Sequence, residues 1–143
     1  MDPAALAMQV KAWGRELGFQ KVGIAGVYLP QDERRLVEWL DAGRHGEMRY
    51  MARHGTRRAR PAELVPGTLR VISARMDYWS RATDPESVLG DRALGYVSRY
   101  ALGRDYHRVL RQRLARLAAR VAGAVGGAGY RAFTDTAPVL EKA

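Results

Sequence analysis

The chain has 143 residues, 47% of them hydrophobic, which is one domain's worth of sequence with enough apolar side chains for a real core. Cysteine is absent, which excludes disulfides, thiolate metal sites and cysteine nucleophiles within these residues. The net charge is +9, from 24 basic residues against 15 acidic ones, and all the basic residues but Lys11, Lys21 and Lys142 are arginine. Arginine binds phosphate through two parallel hydrogen bonds and stacks on bases, so the excess points to a polyanionic partner.

In chain order, Leu6, Val10, Trp13 and Leu17 recur at helical spacing and predict an amphipathic helix over 4–17, stopped by Gly18. Residues 21–27, with Val22, Ile24 and Val27, predict a short buried strand that Pro30 ends. A second helix is predicted over 32–42, with Leu36, Trp39 and Leu40 inward and Gly43 at its end. Trp13 and Trp39 are read as core residues.

In residues 44–60, Arg44, Arg49, Arg53, Arg57, Arg58 and Arg60 surround one acid, Glu47, with Met48, Tyr50 and Met51 interleaved. That mixture suits a surface that binds phosphate and stacks on bases or a flat cofactor; a solvated helix face is the plainer alternative. Pro61 and Pro66-Gly67 predict a loop.

Strand character returns at 70–78, and 80–94 reads as an irregular excursion. Residues 96–100 again read as a strand. Asp105 is a candidate cap for a helix over 105–124, whose apolar face is Tyr106, Leu110, Leu114, Leu117 and Val121. The glycines of 126–129 predict a turn: no strand precedes them, and they lack the Lys-Ser/Thr pair of a phosphate loop. Residues 130–134 predict a last strand. The order of elements indicates an α/β or α+β domain on a mixed sheet.

His45, His54 and His107 match no zinc spacing and are assigned ordinary polar or capping roles. Asp135 stands where the last strand should end, a position at which functional side chains gather in α/β sheets. A carboxyl group there can serve as a general acid, while an Asp before a helix is more often an N-cap. No apolar run reaches the roughly 20 residues of a membrane helix, and Met1-Asp2-Pro3-Ala4-Ala5 is unlike a signal peptide, so the expected location is cytoplasmic, away from membranes.

Four blocks carry a resemblance: Glu-Met-Arg-Tyr-Met-Ala-Arg-His (47–54), Arg-Ala-Arg-Pro-Ala-Glu-Leu-Val-Pro-Gly-Thr (58–68), Gly-Tyr-Val-Ser-Arg-Tyr-Ala-Leu-Gly-Arg-Asp-Tyr-His (95–107) and Phe-Thr-Asp-Thr-Ala-Pro-Val-Leu-Glu (133–141). In this order they resemble the N-terminal region of the epoxyqueuosine reductases, across essentially the whole chain. The resemblance implies a corrin-binding, nitroreductase-like domain over 1–143, incomplete at its C-terminus and preceding a ferredoxin-like iron–sulfur domain. It implies reduction of epoxyqueuosine to queuosine at the wobble position of tRNA, with cobalamin and two four-iron–four-sulfur clusters, in a monomer served by an external electron donor. By position, Asp135 matches the proton donor, and Arg58 and Ser98 match cobalamin-contacting positions, with Arg99 and Tyr100 beside them. No metal ligand is expected in this chain. Because the clusters need cysteines, the chain alone is expected to be inactive and to bind cobalamin weakly or not at all. The competing expectation is a stand-alone basic tRNA- or RNA-binding module without redox activity. A corrinoid-binding or dehalogenase-type relative is disfavoured by the basic excess and the 95–107 block.

Overall fold

The computed structural model describes residues 2–79, 84–135 and 137–140. The chain opens on helix α1 (Pro3–Glu16), capped by the Asp2 carboxylate, which accepts the N–H of Ala5 at 3.0 Å. Proline at the first turn costs this helix no hydrogen bond, because that N–H has no intrahelical partner anyway. Gly18, at φ 85°, turns the chain out of α1 towards strand β1 (Lys21–Ala25).

Helix α2 (Pro30–Asp41) follows, then a run of short turns: helix α3 (Arg49–Arg53), a 3-10 turn (Gly55–Ala59) and helix α4 (Pro61–Leu64). Strand β2 (Val71–Arg75) returns antiparallel to β1, with Lys21 opposite Arg75 and Ala25 opposite Val71. Helix α5 (Pro85–Gly90), a 3-10 turn (Arg99–Ala101) and the long helix α6 (Tyr106–Ala124) complete the order.

The core lies where α1 and α6 pack over the β1–β2 ribbon. Val10, Phe19, Val22 and Leu117 are buried there, ringed by half-buried Leu6, Trp13, Ile24, Ile72, Leu110 and Leu114. The apolar spacing read along α1 and α6 is therefore the packing face, as helical periodicity requires. Gly14 lies on that face because a β-carbon there would overlap the Cγ2 methyl of Val22. On the outer side Arg120 donates to Glu16 at 2.6 Å, tying the end of α6 to the end of α1.

The architecture is α+β. Where a mixed sheet was expected, the described strands make a two-stranded antiparallel ribbon. Residues 96–100 enter a 3-10 turn instead of a strand, and 130–134 run without strand pairing among the described residues. Apolar character alone does not make a strand, because a strand needs a neighbour's hydrogen bonds. The excursion after β2 contains helix α5, capped by Asp84, which accepts the N–H of Ser87 at 3.1 Å; its first residues, 80–83, lie outside the described set. The expected loop at Pro61 is a single helical turn.

Candidate active site

Helix α6 begins where the chemistry gathers. Asp105 caps it, accepting the backbone N–H of His107 at 3.0 Å. The same Oδ1 meets Nδ1 of His107 at 3.0 Å, a contact that needs the imidazole hydrogen on Nδ1 because a carboxylate only accepts. This partner, in front of the backbone bonds, holds the Asp105 carboxyl below its ordinary range.

Tyr106, the first residue of α6, is turned towards Asp135. Its hydroxyl donates to Oδ2 of Asp135 at 2.5 Å, and Nε2 of His107 stands 3.6 Å from the same oxygen. The hydrogen bond to Asp135, followed by desolvation and the nearby negative charge, pushes the Tyr106 phenol up to about 12. The Tyr106 ring stacks on His107, centroids 4.0 Å apart, and meets the edge of Tyr100 at 5.8 Å. Asp135 takes a left-handed backbone, φ 57°, a conformation L-residues other than Asn and Asp seldom hold.

Tyr106 also lines a concavity of about 250 Å³ with Tyr78, Trp79, Arg99, Tyr100 and Val109. There the Arg99 guanidinium sits 4.2 Å from the centre of the Trp79 ring, and Tyr100 meets Tyr78 edge-on at 6.5 Å. Beside it a larger hollow of about 440 Å³ is lined by Arg104, Asp105, Arg108, Val109 and Gln112. Arg108 and Gln112, four residues apart within α6, stand one above the other along one side of the helix, and Arg104 precedes its Asp105 cap.

The candidate residues therefore divide. Arg99 and Tyr100 join Tyr106 in one concavity, and Asp135 is attached to it through Tyr106. Ser98 is exposed and precedes the 3-10 turn without a side-chain capping bond. Arg58 belongs to the arginine-rich segment, where its Nη2 donates to the Tyr50 carbonyl at 3.1 Å and its guanidinium carbon stands 5.9 Å from the Tyr50 ring centre. Its backbone carbonyl accepts the N–H of Leu140 at 2.9 Å, so the chain beyond Asp135 passes back across Arg58. Nε of Arg58 and Oγ1 of Thr134, next to Asp135, are buried without a hydrogen-bond partner among the described residues.

Three side chains of this site escaped the sequence reading. Tyr106 was assigned to the apolar face of its helix, His107 to an ordinary polar or capping role, and Trp79 to no role. The available signal was the clustering of Tyr100, Tyr106 and His107 around a helix cap. The arginine-rich segment is also less free than its composition implied: Arg60 is engaged by Glu33 and by Glu63, at 2.6 and 3.0 Å. Among the described residues no group of three His, Asp or Glu side chains is placed to hold a metal ion, and no helix is long and apolar enough to cross a membrane.

Comparison with known proteins places the chain in a family. Residues 58–136 match the family model described as epoxyqueuosine reductase QueG, DUF1730. The chain is 62% identical over 142 residues to the epoxyqueuosine reductase of Pseudomonas aeruginosa, covering 99% of this chain and 39% of that protein. It is 56% identical to that of Vibrio cholerae and 52% identical to that of Escherichia coli K12, in each case over 99% of this chain and 38% of the relative. The chain thus spans about two-fifths of the length of the curated relatives it matches. No solved structure matches it. A family model matching more than half of the chain, and this identity over nearly all of it, show that the chain belongs to the epoxyqueuosine reductase family.

Proposed function

We propose that this chain is the substrate- and cofactor-facing domain of an enzyme that reduces epoxyqueuosine to queuosine at the wobble position of tRNA, the last step of queuosine biosynthesis. The observation that carries the reading is Asp135, a carboxyl group held by Tyr106 at the edge of an aromatic concavity in a chain of this family. Opening an epoxide leaves negative charge on its oxygen. A carboxylic acid within reach removes that cost by giving up its proton, typically worth about 10²- to 10⁴-fold in rate. Asp135 is the proton donor in this reading.

The residues assigned to cobalamin fit one face of such a cofactor. Arg58 carries a buried Nε in need of an acceptor, and a buried donor normally finds one. Trp79 and Tyr100 expose flat ring faces with Arg99 against one of them. The concavity they share, about 250 Å³, falls below the ~300–1,000 Å³ of drug-sized ligand pockets, so these residues make one wall of the site. Arg99 and Tyr100 would hold the cofactor in the concavity, and Arg58 and Ser98 would contact it from outside that lining. When bound, cobalamin supplies the two electrons of the reduction. The chain's own residues orient the substrate and hold the proton at Asp135. With no cysteine in these residues, the ligands of two four-iron–four-sulfur clusters come from outside them.

The α+β arrangement is read as part of a corrin-binding, nitroreductase-like domain spanning the 143 residues. The tRNA substrate sets a cytoplasmic location, an external donor supplies electrons, and the enzyme works as a monomer. The basic excess serves the tRNA backbone.

The test is a chimera in which this chain replaces the matching 142 residues of the Pseudomonas aeruginosa relative, expressed in a strain lacking the reductase. Mass spectrometry of tRNA nucleosides should show queuosine restored by the chimera and epoxyqueuosine accumulating with Asp135→Asn. A chimera that binds tRNA but leaves epoxyqueuosine untouched would favour an RNA-binding module without redox activity.

A further inference from the structure

Among the described residues, Asp135 is the one non-glycine residue in a left-handed backbone conformation. Such a conformation persists when its surroundings hold it, and here the hold is visible. The Tyr106 hydroxyl reaches Oδ2 at 2.5 Å, the short end of the range for a hydroxyl on a carboxylate. Nε2 of His107, 3.6 Å away, approaches the same oxygen at a distance too long for a hydrogen bond. Both approaches fall on Oδ2.

Tyr106 is itself fixed. One ring face lies on His107, with 29° between the planes, and the ring meets Tyr100 edge-on at 85°. His107 is pinned from below by Asp105, which grips its backbone N–H and its Nδ1. A column of four side chains, Asp105, His107, Tyr106 and Asp135, thus transmits the position of the α6 N-terminus to one carboxylate oxygen. Its contacts all lie within this chain.

We propose that Tyr106 is a positioning residue for the reduction: its hydroxyl clamps Oδ2 of Asp135, leaves Oδ1 to deliver the proton, and stabilises the carboxylate that remains. The inference rests on the reading of Asp135 as proton donor. In that step the Oδ1–H bond of Asp135 breaks and an O–H bond forms on the oxygen released as the epoxide C–O bond opens. The overall reduction takes two electrons, from the reduced corrinoid, and two protons, and releases the oxygen as water. Asp135 provides the first proton and solvent the second. The negative charge left on Asp135 strengthens the bond from Tyr106, so the clamp gains most when the proton has gone.

Two measurements test this. In the 143-residue chain, NMR of ζ-carbon-labelled tyrosine should show Tyr106 titrating at about 12, with Asp135→Ala bringing it towards the ordinary 10.0. A titration unmoved by Asp135→Ala overturns the clamp. In the complete chimera, Tyr106→Phe keeps the ring and removes the hydroxyl. It should lower kcat about 10- to 100-fold, the cost of a reacting group held loosely, with KM for tRNA unchanged. His107→Gln, which removes the stacking face, should lower kcat in the same direction. If Asp135→Asn abolishes turnover while Tyr106→Phe leaves kcat intact, the clamp fails and the proton-donor reading stands. If Asp135→Asn turns over normally, both fail. Parallel losses in kcat, KM and thermal stability in Tyr106→Phe would mark a structural role and overturn the proposal.

Discussion

The guanidinium of Arg60 grips both carboxylate oxygens of Glu33, Nε to Oε2 at 2.9 Å and Nη2 to Oε1 at 2.6 Å. The pair joins the arginine-rich segment to α2 and so fixes the neighbourhood of Arg58. Forked contacts of this kind are geometrically specific, which is why this ion pair outweighs the longer Arg34–Glu38 contact at 3.9 Å on the surface of α2.

The pair gives a signed pH dependence. Arg60, through its hydrogen bonds first, holds the Glu33 carboxyl below its ordinary value of 4.5. A depressed carboxyl binds fewer protons in the folded state than in the unfolded one, so its stabilisation is fully present above pH 4.5 and is lost as pH falls through the lower folded value. Glu33→Gln should therefore be less stable than the parent at neutral pH and should converge with it in acid. Urea midpoints on both sides of that value check this; a difference that persists unchanged in acid would assign the effect to packing.

Gly14 supports a second prediction. A side chain there meets Val22 across the buried contact of α1 with β1. Gly14→Val should destabilise the fold by about 1–3 kcal/mol, as overpacked cores do. Adding Val22→Ala should recover part of the loss. A double variant no better than the sum of its parts would show that the two sites do not share the space.

The hollow beside the N-terminus of α6 makes a prediction about nucleic acid. Arg104 and Arg108 line it, one just before the Asp105 cap and one in the first turn of α6. If the tRNA backbone passes there, Arg104→Ala and Arg108→Ala should each weaken binding uniformly across tRNA sequences and reduce the log–log salt slope by about 1. Filter binding of the chain to tRNA over a range of salt reads this directly. A slope unchanged in both variants would place the backbone elsewhere.

The cofactor wall makes a fourth. The shared concavity is small and open, so the isolated chain should take up cobalamin weakly or not at all, while the chimera binds it tightly. Quenching of Trp79 fluorescence, with Trp79→Phe as the control, follows the titration. Tight stoichiometric uptake by the isolated chain would overturn the one-wall reading. Arg58→Ala in the chimera should weaken uptake while leaving tRNA affinity unchanged.

Local spacing was enough for the two helices that build the core. The periods read over 4–17 and 105–124 became α1, Pro3–Glu16, and α6, Tyr106–Ala124, because each helix buries the face its own apolar residues define. Asp105 was legible as a cap for the same reason: its partner is two residues away. The strands expected at 96–100 and 130–134 were not decided locally, since extended backbone becomes a strand only when another segment completes its hydrogen bonds.

The candidate site divides along the same line. Asp135 was picked out by residue type and by resemblance to a family, both properties of the sequence. That it accepts a hydrogen bond from Tyr106, 29 residues earlier, could not be read there, because Tyr106 also satisfies the helical period of apolar positions. Sequence alone therefore determined which residues are acidic, aromatic or basic and which helices they ride on. Only the tertiary structure decided that one tyrosine turns its hydroxyl to one carboxylate oxygen, because that depends on a loop from beyond α6 folding back over the start of the helix.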